Sequence, residues 1–176
     1  MTNSHSGAAA DHLIGQAFPT LTLSATTGET ISPAEFSIGS FVLFIYPRTG
    51  RPDRVEPPEW SLVPWAKGCA PESCEFRDLS ADYAAIGFRI YELSNQDTGY
   101  QCEAVSRWHL SYPLLSDPGF SLSAALGLPT FEFEGDRIHV RSTLVVQNGT
   151  ITHAHIGVTE AASHPRSLLA QLQVGR

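Results

Sequence analysis

The sequence predicts an α/β domain built on a central mixed β-sheet with helices on both faces. Three observations lead there. Two short apolar runs, FVLFIY at residues 41–46 and FRIYEL at 88–93, have the length and composition of buried strands. Segments with apolar residues at helical spacing follow each of them. Near the C-terminus, Asn148-Gly149 is a strong two-residue hairpin turn between two further strand-like segments. Strands and helices that alternate first, then a hairpin and a closing helix, fit a mixed sheet covered on both sides.

The elements follow in chain order. Residues 1–11 are small and polar and read as a mobile tail ahead of one domain, 12–176. TLTLSATTGETIS (20–32) alternates, breaks at Thr27-Gly28 and alternates again, which is an N-terminal β-hairpin. PAEF is at most a short helical turn. The strand at 41–46 is stopped by Pro47, and residues 48–68, rich in Pro, Gly and charge, form an extended loop. Loops of that length are usually functional or disordered. Residues 71–86 read as one helix, with Phe76, Leu79, Tyr83 and Ile86 on one face and Pro71 in the first turn, where its missing N–H costs little. Helices follow at 99–110 and 120–126, strands at 141–146 and 150–156, and a last helix at 163–174. No internal repeat or domain linker is visible.

Composition narrows the function. The chain has 176 residues, 42% of them hydrophobic, enough for one domain with a real core. Its net charge is −7 and it has no basic run, which argues against nucleic acid as a partner. No apolar stretch approaches membrane-span length. The N-terminus lacks a basic segment followed by an apolar one, so the expectation is a cytoplasmic protein without a signal peptide. Three cysteines are too few for a secreted disulfide framework.

Two of those cysteines, Cys69 and Cys74, lie five positions apart in KGCAPESCEFRD (67–78). On a helix, Cys69 falls near the stripe of Phe76 and Tyr83, and Cys74 points almost the opposite way. Their Cα atoms would be about 8–9 Å apart, whereas a disulfide needs about 4.4–6.8 Å. Pairing therefore requires the first turn to unwind. A thiol at a helix N-terminus is favoured as thiolate. Glu72 opposes this, and Arg141, which opens a predicted core strand, is a candidate counter-cation. Core packing of two small apolar side chains remains an equal alternative at this point. Zinc is disfavoured because ligand pairs at closer spacing are absent, so no metal and no organic cofactor are expected.

The motifs FVLFIYP, GCAPESCEFRDL, YELSNQDTGY, YPLLSDPGFSLSAALGL and RSTLVVQNGTI together resemble the bacterioferritin-comigratory (Q-type) subgroup of peroxiredoxins, from about Leu13 to the C-terminal helix. The resemblance implies a thioredoxin-like fold and reduction of hydrogen peroxide or organic hydroperoxides. It implies Cys69 as the peroxidatic cysteine, Cys74 as the resolving one, Arg141 as the active-site arginine and Pro47 as the proline that starts the active-site loop. It also implies thioredoxin or glutaredoxin as reductant and a monomer or weak dimer. One departure stands out. The family has Pro-x₃-Thr-x₂-Cys, but here residues 48–68 separate Pro47 from Cys69, and Ala66 falls at the threonine position. Thr49 is the one threonine of the loop and the candidate to fold back into that role. A non-enzymatic redox sensor or a thiol–disulfide exchanger on the same fold is the competing reading.

Other residues carry two readings each. Cys102 is either a backup resolving thiol or a helix-face cysteine without a role. His153 and His155 share a strand face that could bind metal or simply be half-buried. Trp60 and Trp65 either cover the peroxide entrance or anchor the loop. Arg48, Arg51 and Arg54 attract a polar ligand or are merely solvated. Arg77 and Asp78 either orient the active-site turn or form an exposed helix pair.

Overall fold

In a computed structural model of the protein, residues 10–175 are described. The expected tail thus lies outside the described residues as far as residue 9, while Ala10 is already buried in the core. The fold is a seven-stranded mixed sheet. In chain order its strands are β1 (Leu23–Ala25), β2 (Thr30–Ile31), β3 (Ser40–Ile45), β4 (Phe88–Ser94), β5 (Leu114–Ser116), β8 (Ser142–Gln147) and β9 (Thr150–Ile156). They lie in the order β2-β1-β5-β4-β3-β8-β9. A separate hairpin pairs β6 (Thr130–Phe133) with β7 (Asp136–His139). The helices are α1 (Pro33–Phe36), α2 (Cys69–Asp78), α3 (Ser80–Ala85), α4 (Thr98–Trp108), α5 (Ser121–Leu126) and α6 (His164–Val174). This is the central mixed sheet flanked by helices expected from the sequence, N-terminal hairpin included.

Strand β3 organises the molecule. It pairs parallel with β4 on one side and antiparallel with β8 on the other, so every residue from Ser40 to Ile45 has a partner on both flanks. The pleat sends alternate residues to opposite faces. Phe41, Leu43 and Ile45 join Leu93, Leu144, Leu122 and Leu126 on one face; Val42, Phe44 and Tyr46 join Phe76, Tyr83, Ile90 and Leu168 on the other. Helix α5 thus covers the first face, and α2, α3 and α6 the second. Phe44 stacks on Phe76 with ring centroids 4.2 Å apart, which ties the middle of α2 to the centre of the sheet. Among the described residues no helix is long and apolar enough to cross a membrane.

Three details depart from the sequence reading. The single helix expected at 71–86 is two helices, because the backbone at Leu79 leaves helical geometry (φ −93°, ψ 2°). The buried stripe survives the break, since Phe76, Leu79 and Tyr83 all reach the same core. Helix α2 begins at Cys69, two residues before Pro71, so Pro71 still falls within the first turn. Strands β5, β6 and β7 had no counterpart in the sequence reading.

Candidate active site

The C-terminal end of β3 leads through Tyr46 into Pro47, both buried, and the chain returns to the same place at Gly68 and Cys69. Gly68 precedes α2 with φ +99°, in the left-handed region, and a Cβ there would stand 2.6 Å from the Ala161 Cβ. Glycine is therefore required on two counts, conformation and space. It sets Cys69 as the first residue of α2, where backbone N–H groups are free of helical partners.

Arg141, just before β8, is fully buried and reaches the sulfur. Its Nη2 donates to Cys69 Sγ at 3.1 Å, and also to the Lys67 and Ala66 carbonyls at 3.0 and 3.3 Å. Its Nε donates to the Trp65 carbonyl at 3.1 Å, and Nη1 is bonded to Glu72 Oε2 in a fully buried ion pair. Sequence reasoning found Arg141 from its place at the start of a core strand and cast Glu72 only as an opponent of the thiolate. The structure gives Glu72 a second job, that of orienting the guanidinium.

The electrostatics of the pocket are balanced between burial and charge. Burial pushes the Cys69 thiol above its ordinary value. The Arg141 charge and hydrogen bond pull it back, Glu72 adds to the rise, and the backbone N–H of Arg48 opposes it. Burial raises the Glu72 carboxyl to about 7 against the pull of Arg141. Burial presses the Arg141 guanidinium down, but Cys69 and Glu72 together hold it above its usual value and firmly charged.

The remaining expected residues lie as follows. Cys74 is half-buried and Cys102 exposed, and all three cysteines are free thiols, with α2 continuous from Cys69 through Cys74. Pro47 adjoins the site through the next residue, Arg48, whose backbone N–H favours the thiolate. Thr49 is buried, but its hydroxyl donates to Gln96 Oε1 at 3.1 Å and its backbone N–H donates to the same oxygen at 2.9 Å. Its hydrogen bonds thus hold the base of the loop, and among the described residues its hydroxyl donates to Gln96 rather than to Cys69. Ala66, at the position of the family's threonine, is buried with its carbonyl 3.9 Å from Cys69 Sγ.

The long loop packs against the domain. It contains a short 3₁₀ helix, Pro58–Leu62. Trp60, Ala66 and Val63 pack with Ile138, Phe131 and Phe133 into a small satellite core on the β6–β7 hairpin. The tryptophans therefore anchor the loop, Trp60 against Phe133 at 5.0 Å and Trp65 against Phe131 at 6.0 Å, on a hairpin the sequence reading had not assigned. Arg48 lies 4.1 Å over the Trp60 ring and pairs with Glu56, and Arg51 pairs with Asp53. Arg77 and Asp78 form an ion pair at the end of α2. His155 packs 5.3 Å from His164.

Sequence reasoning also passed over a second polar group under α2. Ser73 Oγ donates to Glu92 Oε1 at 2.7 Å, and the Tyr112 hydroxyl donates to the Ser73 carbonyl at 2.8 Å. Burial raises the Glu92 carboxyl to about 8, opposed by the Ser73 hydrogen bond. The signal was one acidic residue in an otherwise strand-like apolar run, FRIYEL.

Comparison with known proteins agrees with this geometry. The redoxin family model matches residues 13–172. Chloroplastic peroxiredoxin Q of Oryza sativa subsp. japonica is 25% identical over 160 residues, 90% of this chain and 66% of the relative. Chloroplastic peroxiredoxin Q of Arabidopsis thaliana is 28% identical over 115 residues, 65% of this chain and 46% of the relative. The chain thus spans about half to two-thirds of the length of these plant relatives. Among solved structures, peroxidoxin BcpB from Mycobacterium tuberculosis superposes with a TM-score of 0.74 at 24% identity, covering 93% of this chain and 97% of that one. Peroxiredoxin Q from Xanthomonas campestris superposes with a TM-score of 0.71 at 22% identity, covering 88% and 90%. The chain belongs to the redoxin family, among relatives named as peroxiredoxins of the Q, or bacterioferritin-comigratory, type.

Proposed function

We propose that this protein is a thiol peroxidase that uses Cys69 as nucleophile and Cys74 as resolving thiol. The observation that carries the reading is the Arg141 guanidinium 3.1 Å from Cys69 Sγ, at the N-terminus of a helix and braced by buried Glu72. A cation and free backbone N–H groups at that point stabilise negative charge on sulfur and on the oxygens of a bound peroxide.

In the first step the Cys69 thiolate attacks the terminal peroxide oxygen. The O–O bond breaks, the leaving alkoxide or hydroxide takes a proton, and sulfur is oxidised to sulfenic acid. Helix α2 then opens, the Cys74 thiol condenses with the sulfenic acid, and water leaves as the S–S bond forms. An external dithiol protein of the thioredoxin or glutaredoxin type reduces the disulfide by exchange. The substrate class is hydrogen peroxide or an organic hydroperoxide. The Xanthomonas campestris bacterioferritin comigratory protein, a structural neighbour, is described as having alkyl peroxide reduction activity, which supports the second option.

One observation favours a redox sensor instead: Cys69 is only 7% exposed and burial raises its thiol. Peroxide loss coupled to thioredoxin and its reductase separates the two. Multiple turnovers abolished by Cys69→Ser, and reduced to a single turnover by Cys74→Ser, support the peroxidase. One equivalent consumed, then silence with every dithiol reductant tried, supports the sensor.

A further inference from the structure

We propose that Ser73, Glu92 and Tyr112 form a clasp that sets how fast α2 opens for the resolving thiol. This rests on the peroxidase reading above and names three positioning residues for its second step.

Ser73 immediately precedes Cys74 and lies inside the stretch that must lose helical geometry before the two sulfurs can meet. It is fully buried and held twice, its hydroxyl donating to Glu92 and its carbonyl accepting from Tyr112. The two holds come from fixed parts of the fold. Glu92 sits in the parallel core of the sheet, on β4 opposite Phe44, and is itself fully buried. Tyr112 is buried two residues before β5. Neither residue is hydrogen-bonded to Cys69 or to Arg141, and their link to the first step is the charge of Arg141 and Glu72 felt by Glu92. Three residues beyond Ser73, Phe76 is stacked on Phe44, and that apolar anchor has no reason to release. The clasp therefore marks the border between the part of α2 that opens and the part that stays.

Opening breaks both hydrogen bonds and leaves the Glu92 carboxyl and the Tyr112 phenol only each other as buried partners, which is costly. A slow opening has a chemical consequence. The waiting sulfenic acid either condenses with Cys74, releasing water, or meets a second peroxide, which transfers one oxygen to give sulfinic acid and an alcohol or water. The strength of the clasp thus divides the enzyme between resolution and overoxidation.

The test is quench-flow mass spectrometry of the intact protein mixed with hydrogen peroxide. It follows sulfenic acid, the Cys69–Cys74 disulfide and sulfinic acid separately. Ser73→Ala and Tyr112→Phe are expected to speed disulfide formation about fivefold and to lower the sulfinic fraction in proportion, with the first step within twofold of the parent. Glu92→Gln keeps an acceptor oxygen for Ser73 and is expected to behave like the parent. Amide hydrogen exchange of the reduced protein gives a readout that needs no peroxide: residues 70–74 should exchange about fivefold faster in Ser73→Ala, and residues 76–78 should not change. Unchanged or slower disulfide formation in both Ser73→Ala and Tyr112→Phe overturns the clasp, as does unchanged exchange at 70–74. If the parent forms no sulfenic acid at all, the peroxidase reading fails and the exchange experiment alone decides the clasp.

Discussion

The two halves of α2 are held by different physics. Its first five residues are fixed by polar contacts: the Cys69 sulfur and Glu72 carboxylate to Arg141, and Ser73 to Glu92 and Tyr112. Its second half is fixed in the core by apolar packing, with Phe76 stacked on Phe44 and in contact with Tyr83, while its polar contacts, Glu75 to Arg166 and Arg77 to Asp78, lie at the surface. Directional bonds can be exchanged for others one at a time, whereas a close-packed ring leaves its socket only at the cost of a void. The difference suits the proposed cycle, in which the first turn of this helix opens and its second half stays.

The largest effect should come from breaking the polar half at its centre. Arg141→Ala is expected to slow peroxide oxidation of Cys69 by about 10²–10³-fold in stopped-flow measurements. It should also lower unfolding free energy by about 3 kcal/mol in urea titrations, because Glu72 loses its buried partner. Breaking the apolar half should give the opposite profile. Phe76→Ala is expected to cost about 3–5 kcal/mol of stability, with sulfenic acid formation within a few-fold of the parent well below the melting temperature. If Phe76→Ala instead stalls the chemistry at full stability, the division between the halves is wrong.

Smaller changes sharpen the same contrast. Gly68→Ala places a Cβ against Ala161 in a left-handed conformation and should cost about 1–2 kcal/mol, read as a lowered Tm. pH probes the polar half without mutation. Glu72 and Glu92 have carboxyls raised by burial to about 7 and about 8, so above the ordinary carboxylate range the unfolded chain gives up protons that the fold retains. That favours unfolding as pH rises toward 8. His139 and His164 act in the opposite sense, since burial lowers both to about 4, and they add stability as pH rises from about 4 to 6.5. Above about pH 7.5, where unfolded histidines are neutral as well, the carboxyls dominate. Stability should then fall toward pH 8 by roughly 1 kcal/mol per pH unit, and Glu92→Gln should flatten the slope. A flat profile in the parent would show that these carboxyls ionise as they do in water.

Most of the fold was legible because its main elements carry strong patterns. FVLFIY needs both flanks covered, and the structure pairs it on both sides. Asn148-Gly149 makes its hairpin with both residues at positive φ. The missed elements were short. β5 has three residues, all buried, too few to show a period. β6 and β7 did carry a clue, Glu134-Gly135 between two alternating runs, with both turn residues at positive φ. Missing that hairpin hid what the long loop rests on. For the site, the meeting of Cys69 with Arg141 was readable from the helix start and the strand position. The engagement of Thr49 by Gln96 was not, because it depends on two segments 47 positions apart meeting in space. Glu72 and Glu92 were visible as letters, but only burial reveals what each one grips.

Arg141 has one further consequence. All three of its nitrogens already donate within the protein, two of them to carbonyls of the inserted loop. A newcomer that approaches this guanidinium at Nε or Nη2 competes with the loop carbonyls of Trp65, Ala66 and Lys67, so occupancy there bears on the loop's grip and, through Trp60 and Trp65, on the small hairpin beneath it. The extra residues are thus tied to the sulfur's neighbour.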